Sequence, residues 1–253
     1  MTGNQTHLIL LSAFALVAAL VASRYAAAQD AKQPYATMAP IDQYLMDRDA
    51  EIALARTAAP ESISRDAEVV VLGRHGFETS VKGKNGFVCI VERSWTSAAD
   101  ADFWNPKVRT PICYNAAAAH SLLPRNIKRT ELILARRTQA QVDEAIVAAV
   151  DKKELPTMEP GAMCYMMSKR GYGGDTVEHW PSHVMFFYSQ TDPAIWGANL
   201  PGSPVLAMSD DREHLTEFAI SVQRWSDGTE NRQAKPRNND KLKESKNKEN
   251  RSR

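Results

Sequence analysis

Two neighbouring stretches decide the fold class: Glu68-Val69-Val70-Val71-Leu72-Gly73-Arg74-His75-Gly76, and Gly86-Phe87-Val88-Cys89-Ile90-Val91-Glu92 close behind it. Each apolar run is short, rich in β-branched residues and bounded by glycine, the pattern of a buried strand. Gly76, Gly83 and Asn85-Gly86 supply the connection, so an antiparallel pair is the expected arrangement.

Outward from this pair, Ala162 to Ser168, His183 to Ser189 and Leu215 to Gln223 carry the same strand signal, punctuated by Gly171 to Gly174 and by Leu200 to Pro204. Helical spacing falls elsewhere. Ile41, Leu45, Ile52 and Leu54 predict a surface helix over 41–58, between Pro40 and Pro60. Val142, Ile146, Ala149 and Val150 predict a second over 138–153, with Thr138 as its cap and Pro156 past its end. Two strands, a helical region and further strands predict an α+β fold, a largely antiparallel sheet with a few packed helices in a single domain over 66–229.

At 43% hydrophobic and 24% charged, the 253 residues have an ordinary globular composition. Both ends depart from it. Leu8 to Ala22 is an uncharged apolar run followed by Ala26-Ala27-Ala28, the pattern of a signal peptide over 1–28 with the mature chain beginning at Gln29. Export to the periplasm or the exterior is the expectation. The alternative is a retained N-terminal anchor, because no Lys or Arg precedes the run and Arg24 follows it. The run is nevertheless short for a bilayer core, which asks for about 20 residues, and no membrane span is expected after cleavage. From Glu230 to Arg253 nine Lys or Arg face four Asp or Glu, and apolar residues nearly vanish, so 230–253 is expected as a disordered basic tail. Its charge suits contact with anionic surfaces, such as nucleic acid, lipid headgroups or acidic wall polymer, with a solvated tail that has no partner as the alternative. The chain carries no nucleic-acid-binding motif.

Cys89, Cys113 and Cys164 allow one internal disulfide in an oxidising compartment. Cys89 with Cys113 closes the shortest loop and is the expected pair; three buried thiols are the alternative.

The Val69 to Gly76 stretch delivers Arg-His-Gly at the end of an apolar strand. It resembles the Arg-His-Gly signature of the histidine phosphatase superfamily, which implies His75 as phosphate-accepting nucleophile and Arg74 as a clamp on phosphate oxygens. His183 or Glu178 would then serve as general acid. Glu178-His179-Trp180-Pro181-Ser182-His183 concentrates potential ligands, with Glu178, His179 and Trp180 as candidate ligand-binding residues. A metal on His179 and His183 is disfavoured: Pro181 forbids a helix, and in an extended chain positions four apart lie about 13 Å apart. No cofactor is expected. The glycine clusters lack phosphate-loop spacing, the five methionines from Met158 to Met185 fit core packing better than soft-metal binding, and no Gly-x-Ser-x-Gly is present.

GRHGFETSVKGKNGFVCIVERSW (73–95), EPGAMCYMMSK (159–169), WGANLPGSP (196–204) and WSDGT (225–229) resemble stretches of exported bacterial proteins of unassigned function. That resemblance implies an envelope setting and supplies no activity. Two functional expectations follow: a ligand- or protein-binding envelope module with a cleft lined by His75, His179, His183 and aromatics, or a hydrolase, phosphatase-like or metal-dependent, centred on His75 and His183.

Overall fold

The computed structural model describes residues 35–96 and 102–232. The expected signal peptide over 1–28 and residues 233–253 of the expected tail lie outside them. Strand β1 (Glu68–Gly73) turns through Arg74 and His75 into β2 (Gly76–Val81), and β3 follows as Val88–Glu92. β1 and β2 are antiparallel, whereas β1 and β3 pair in parallel, Glu68 opposite Val88 and Val69 opposite Cys89. This corrects the expected antiparallel pair: the hairpin through Arg74-His75 inserts a descending strand, so the next one ascends beside β1. Gly83 makes the return possible. A Cβ there would lie 2.3 Å from the Glu68 backbone nitrogen, an approach only glycine permits.

The sheet continues with β4 (Thr110–Tyr114), β5 (Met163–Met166), β6 (His183–Ser189), β7 (Val205–Asp210) and β8 (Leu215–Ser221). Its order is β2-β1-β3-β4-β5-β6-β8-β7, and every neighbouring pair except β1/β3 is antiparallel. With its packed helices this is an α+β fold.

The expected helix over 41–58 divides. Ile41–Gln43 forms a 3-10 turn, Tyr44 plunges into the core, and α1 runs Arg48–Arg56. Asp47 starts α1 by accepting from Ala50 N at 3.0 Å. A short α2 (Glu61–Ser64) follows Pro60. Asn115 caps α3 (Ala116–Ser121), which leads into α4 (Leu123–Leu134). Pro124 sits in the first turn of α4, where its missing N–H costs nothing, so it opens this helix instead of interrupting it. The capping box of Thr138 and Gln141 begins α5 (Gln139–Asp151), close to expectation.

Strand alternation sorts the core into two layers. Val69, Val71, Cys89, Val91 and Cys113 face α1, packing on Leu54, Ala55 and Ala58. Val70, Ile90, Ile112, Tyr114 and Cys164 face the opposite way, toward Leu122 and Leu123 at the junction of α3 and α4. α4 touches β2 at one edge of the sheet, while its Arg129 pairs with Glu213 in the β7–β8 turn. The concave face therefore wraps this helix.

The domain boundaries move at both ends. The compact unit begins at Ala39, because α1 is part of its core and does not precede it. At the other end Asn231 is buried; its N donates to Gln223 O at 2.7 Å and its Nδ2 to Val222 O at 2.9 Å, so the fold runs past Thr229.

Cys89 and Cys113 stand directly opposite each other on β3 and β4, Cα atoms 4.0 Å apart, and form the disulfide. Cys164, opposite Tyr114 on β5, faces the other layer and is free. The disulfide closes a sequence separation of 24, for which loop entropy gives about 3 kcal/mol. Replacing both Cys89 and Cys113 by Ala should lower the unfolding free energy in a urea titration by about that amount. Cys164 in the intact protein should resist alkylation until denaturant is added.

Candidate functional site

Arg74 and His75 form the exposed turn between β1 and β2, and Arg74 pairs there with Asp42. His183 is the first residue of β6 and is buried; its Nδ1 donates to Pro181 O at 2.6 Å, and desolvation holds its pKa below the usual imidazole value. β3, β4 and β5 lie between β1 and β6. At about 4.8 Å per strand the two histidines are separated by roughly 19 Å across the sheet alone. Arg74, His75 and His183 thus do not converge, and Arg-His here is the turn of a two-residue hairpin.

The structure does bring His179 and Trp180 into one open hollow of about 20 Å³, with Thr110, Ser168 and Tyr172 also on its walls. The hollow arises where β4 and β5 part. Their ladder holds only at Cys113 opposite Tyr165 and Tyr114 opposite Cys164. Two residues further along β4 stands Pro111, which has no N–H to donate, and the β5 chain turns away as Met167 N bonds Ala58 O at 2.8 Å. The loop from Gly171 to Trp180 closes over the gap. It is tied down by the paired backbones of Arg109 and Tyr172 (2.9 and 2.8 Å) and by Asp175 N donating to Asp102 Oδ2 at 2.8 Å.

Glycine sets how closely this loop can pack. A Cβ on Gly173 would lie 2.6 Å from the Trp180 indole nitrogen, and one on Gly174, at φ +123°, would lie 2.7 Å from Asp102 Oδ2. Trp180 therefore rests against a bare backbone and stays 48% exposed. Glu178 adopts φ +52° in the turn, accepts from Gly173 N at 2.8 Å through its carbonyl, and keeps its side chain in solvent. Of the three expected ligand-binding residues, His179 and Trp180 line the hollow and Glu178 shapes its loop.

The polar groups of the hollow have assignable roles. His179 Nδ1 lies 2.7 Å from Trp180 O, which can only accept, so Nδ1 bears the hydrogen and Nε2 is left as an acceptor. That Nε2 is covered and has no partner within the protein, while the ring stands edge-on to Trp225 at 5.1 Å. Thr57 Oγ1 donates to Leu54 O at 2.5 Å, so Ser168 Oγ donates to Thr57 at 2.6 Å and accepts from Arg170 N at 3.0 Å. Among the described residues no three His, Cys, Asp or Glu side chains gather as a metal centre requires.

One polar cluster escaped the sequence reading altogether. Glu92, the last residue of β3, is buried beneath α4 and accepts from Asn126 Nδ2 at 2.8 Å and from the Tyr114 hydroxyl. Burial pushes its carboxyl up to about 7, against the lowering effect of Tyr114. Glu217 on β8, half-buried, is likewise raised to about 7 by desolvation and by the Glu213 and Asp210 carboxylates. Burial also raises the Cys164 thiol well above its ordinary value, which keeps it protonated and unreactive. A charge at the very end of an apolar run looks like a strand terminus, so nothing local marks Glu92 as interior; its partners come from β4 and α4.

No protein-family model, curated protein or solved structure matches the chain.

The raised carboxyls predict a pH dependence of stability. Between the ordinary 4.5 of the unfolded chain and about 7, native Glu92 holds a proton that the unfolded state has released. The contribution is complete below that ordinary value, falls as pH rises through about 7, and levels off above it. Urea midpoints should therefore drop between mildly acidic and mildly alkaline buffer, and Glu92→Gln should flatten the drop. A slope identical in Glu92→Gln would remove Glu92 as its source.

Proposed function

We propose that this is an exported envelope protein that binds a small ligand in the hollow beneath Trp180. Export is supported by the signal pattern over 1–28 and by the buried Cys89–Cys113 disulfide, a bond that forms and persists in oxidising compartments. The binding reading rests on one observation above the others: His179, whose covered Nε2 has no partner within the protein, lines a hollow whose rim is an exposed indole. A buried acceptor left unpaired costs about 1–3 kcal/mol, which a ligand donor returns on binding.

The size and chemistry of the hollow select the ligand. The hollow is open and has about 20 Å³ of room, enough for one small group and not a whole ring, so a ligand would rest across its mouth with one edge entering. That ligand needs a flat apolar face for Trp180 and Tyr172, and a hydroxyl edge for His179 and Thr110. A single sugar unit has both. Turnover finds less support, because the nucleophile, clamp and acid of a phosphatase would have to meet within hydrogen-bond range, and His75 lies in the β1–β2 turn while three strands separate β1 from the β6 that carries His183.

Binding is tested by titrating the protein with glucose and with N-acetylglucosamine while following tryptophan fluorescence. Saturable change is expected, weakened about tenfold, or ~1.4 kcal/mol, in Trp180→Ala. Gly173→Ala should weaken it as well, because the added methyl displaces the indole. No change with either sugar, or affinity indifferent to both substitutions, would overturn the reading.

A further inference from the structure

Strand register defines one open end of the concave face. Met208 of β7 stands opposite Glu217 of β8, which stands opposite Phe187 of β6; two residues along, Leu206, Ala219 and Met185 form the next row. That row continues through Cys164 to Tyr114, so all six side chains share the face that α3 and α4 cover further in. Ala207 and Phe218 point the other way, where Trp196 stacks on Phe218 at 4.4 Å. Met185 and Phe187 are buried, Glu217 is half-buried, and Leu206 (59%) and Met208 (56%) are exposed. The face is thus covered at β6 and open at β7.

Glu217 is the one charged side chain in these two rows, and among the described residues no donor bonds its carboxyl. Two arginines of α4 lie within electrostatic reach, and both are committed elsewhere. Arg129 pairs with Glu213 and, at 3.2 Å, with Asp143, while Arg125 donates to Glu213 O at 2.8 Å. Desolvation, with the Glu213 and Asp210 carboxylates, outweighs both arginines and raises the Glu217 carboxyl to about 7. A carboxyl in apolar surroundings without a donor weakens a fold, and an apolar side chain would fill the position without that cost. What the position suits is a cation from outside that brings apolar surface of its own.

The free edge of β7 is closed to an incoming strand. Asn199 Oδ1 accepts from Ala207 N at 3.0 Å, its Nδ2 donates to Ala207 O at 2.9 Å, and its backbone N donates to Val205 O at 3.0 Å. Val205 N in turn donates to Ser203 Oγ at 3.1 Å. Backbone pairing with a peptide is blocked along this stretch, so an occupant is held by side chains alone. Leu206 and Met208 lie about 7 Å apart along the strand, a distance that an unbranched chain of about six carbons covers.

We propose that this open end binds a free alkylammonium ion, with the cation on the Glu217 carboxylate and the alkyl stem along Met208 and Leu206. The ammonium brings three donors to a carboxylate that has none, and the stem takes apolar surface at the sheet edge out of water. The groups that face Glu217 leave this role to the ligand. Arg125 and Arg129 of α4 are held by Glu213, Asp210 and Glu213 at the β7–β8 turn repel, and Glu92 of β3, Tyr114 of β4 and Cys164 of β5 add no positive charge. The site is independent of what the hollow binds.

The test follows the Met208 methyl by NMR in protein isotope-labelled at its methionine methyls, the signal being assigned by its loss in Met208→Leu. Hexylamine in mildly alkaline buffer, where the amine is charged and the carboxyl ionised, should shift this methyl saturably. Ethylamine, which lacks the stem, and hexanol, which lacks the charge, should each bind about tenfold more weakly or worse. Glu217→Gln should weaken hexylamine by about the same factor, with the circular dichroism unchanged and the urea midpoint no lower than the parent's. Mildly acidic buffer should weaken it about tenfold as well, because a proton then occupies Glu217. Trp180→Ala, at the hollow, should change nothing. The proposal falls if the Met208 methyl does not move, if hexanol matches hexylamine, if Glu217→Gln or acidity leaves the affinity unchanged, or if Trp180→Ala abolishes it. It falls also if the peptide Gly-Gly-Lys-Gly-Gly amide binds more tightly than hexylamine, because a lysine of a partner chain would then be the occupant.

Discussion

The buried ion pair of Arg93 and Glu51 is what allows α1 and the centre of the sheet to form one body. β1 and β3 pair only at their beginnings, Glu68 with Val88 and Val69 with Cys89, and then separate. Past the separation Leu72 N has no strand to donate to, and donates instead to Glu51 Oε1 from α1 at 3.1 Å. Glu51 Oε2 accepts from Arg93 Nη2 at 2.8 Å, and Arg93 Nε donates to Tyr44 O at 2.8 Å. Desolvation lowers the Arg93 pKa while Glu51 raises it again, so the charge is kept at the cost of a fully satisfied site. Losing either partner strands the other in the interior, at about 3–5 kcal/mol.

β4 and β5 part at the same end of the sheet, and there the gap is left open. The cause is again a missing backbone partner, the absent N–H of Pro111, but the gap is covered by a loop instead of a side-chain ion pair. Arg109 joins the two places. It donates to Gln43 O beside the Tyr44 anchor at 3.1 Å, and its backbone pairs with Tyr172 in the loop over the hollow. The filled gap is thus tied through one residue to the loop that covers the open one.

Legibility from the sequence followed the range of the forces involved. β1, β6 and α5 were readable because strand alternation and capping chemistry are local. β2 was not, since Gly-Phe-Glu-Thr-Ser-Val lies half in solvent at an edge and shows no apolar run, and without it the parallel pairing of β1 and β3 could not be foreseen. β4 was hidden by Pro111, which argues against a central strand until one sees that its missing donor faces the gap. Of Glu178-His179-Trp180, the sequence shows the density, while only the packed loop shows that His179 and Trp180 line the hollow. Tyr172 was visible only as part of a glycine cluster, whose meaning depends on which side chains press against the bare backbone. The Arg-His-Gly stretch reads two ways because a hairpin turn and a phosphate site both ask for a small, polar sequence at a strand end.

The cysteines show how a one-residue offset decides chemistry. β3, β4 and β5 are adjacent, and all three cysteines lie within one rung of one another. Cys89 and Cys113 share a rung and a face, whereas Cys164 is paired with Tyr114, one residue on, and so projects into the opposite layer. The sheet itself stands between the free thiol and the disulfide, and burial keeps that thiol protonated, so exchange is blocked both by geometry and by lack of thiolate. An odd cysteine is a hazard wherever disulfides form. Here strand alternation removes the hazard without removing the residue, and leaves Cys164 to pack as a small apolar group among Tyr114, Met185 and Phe187.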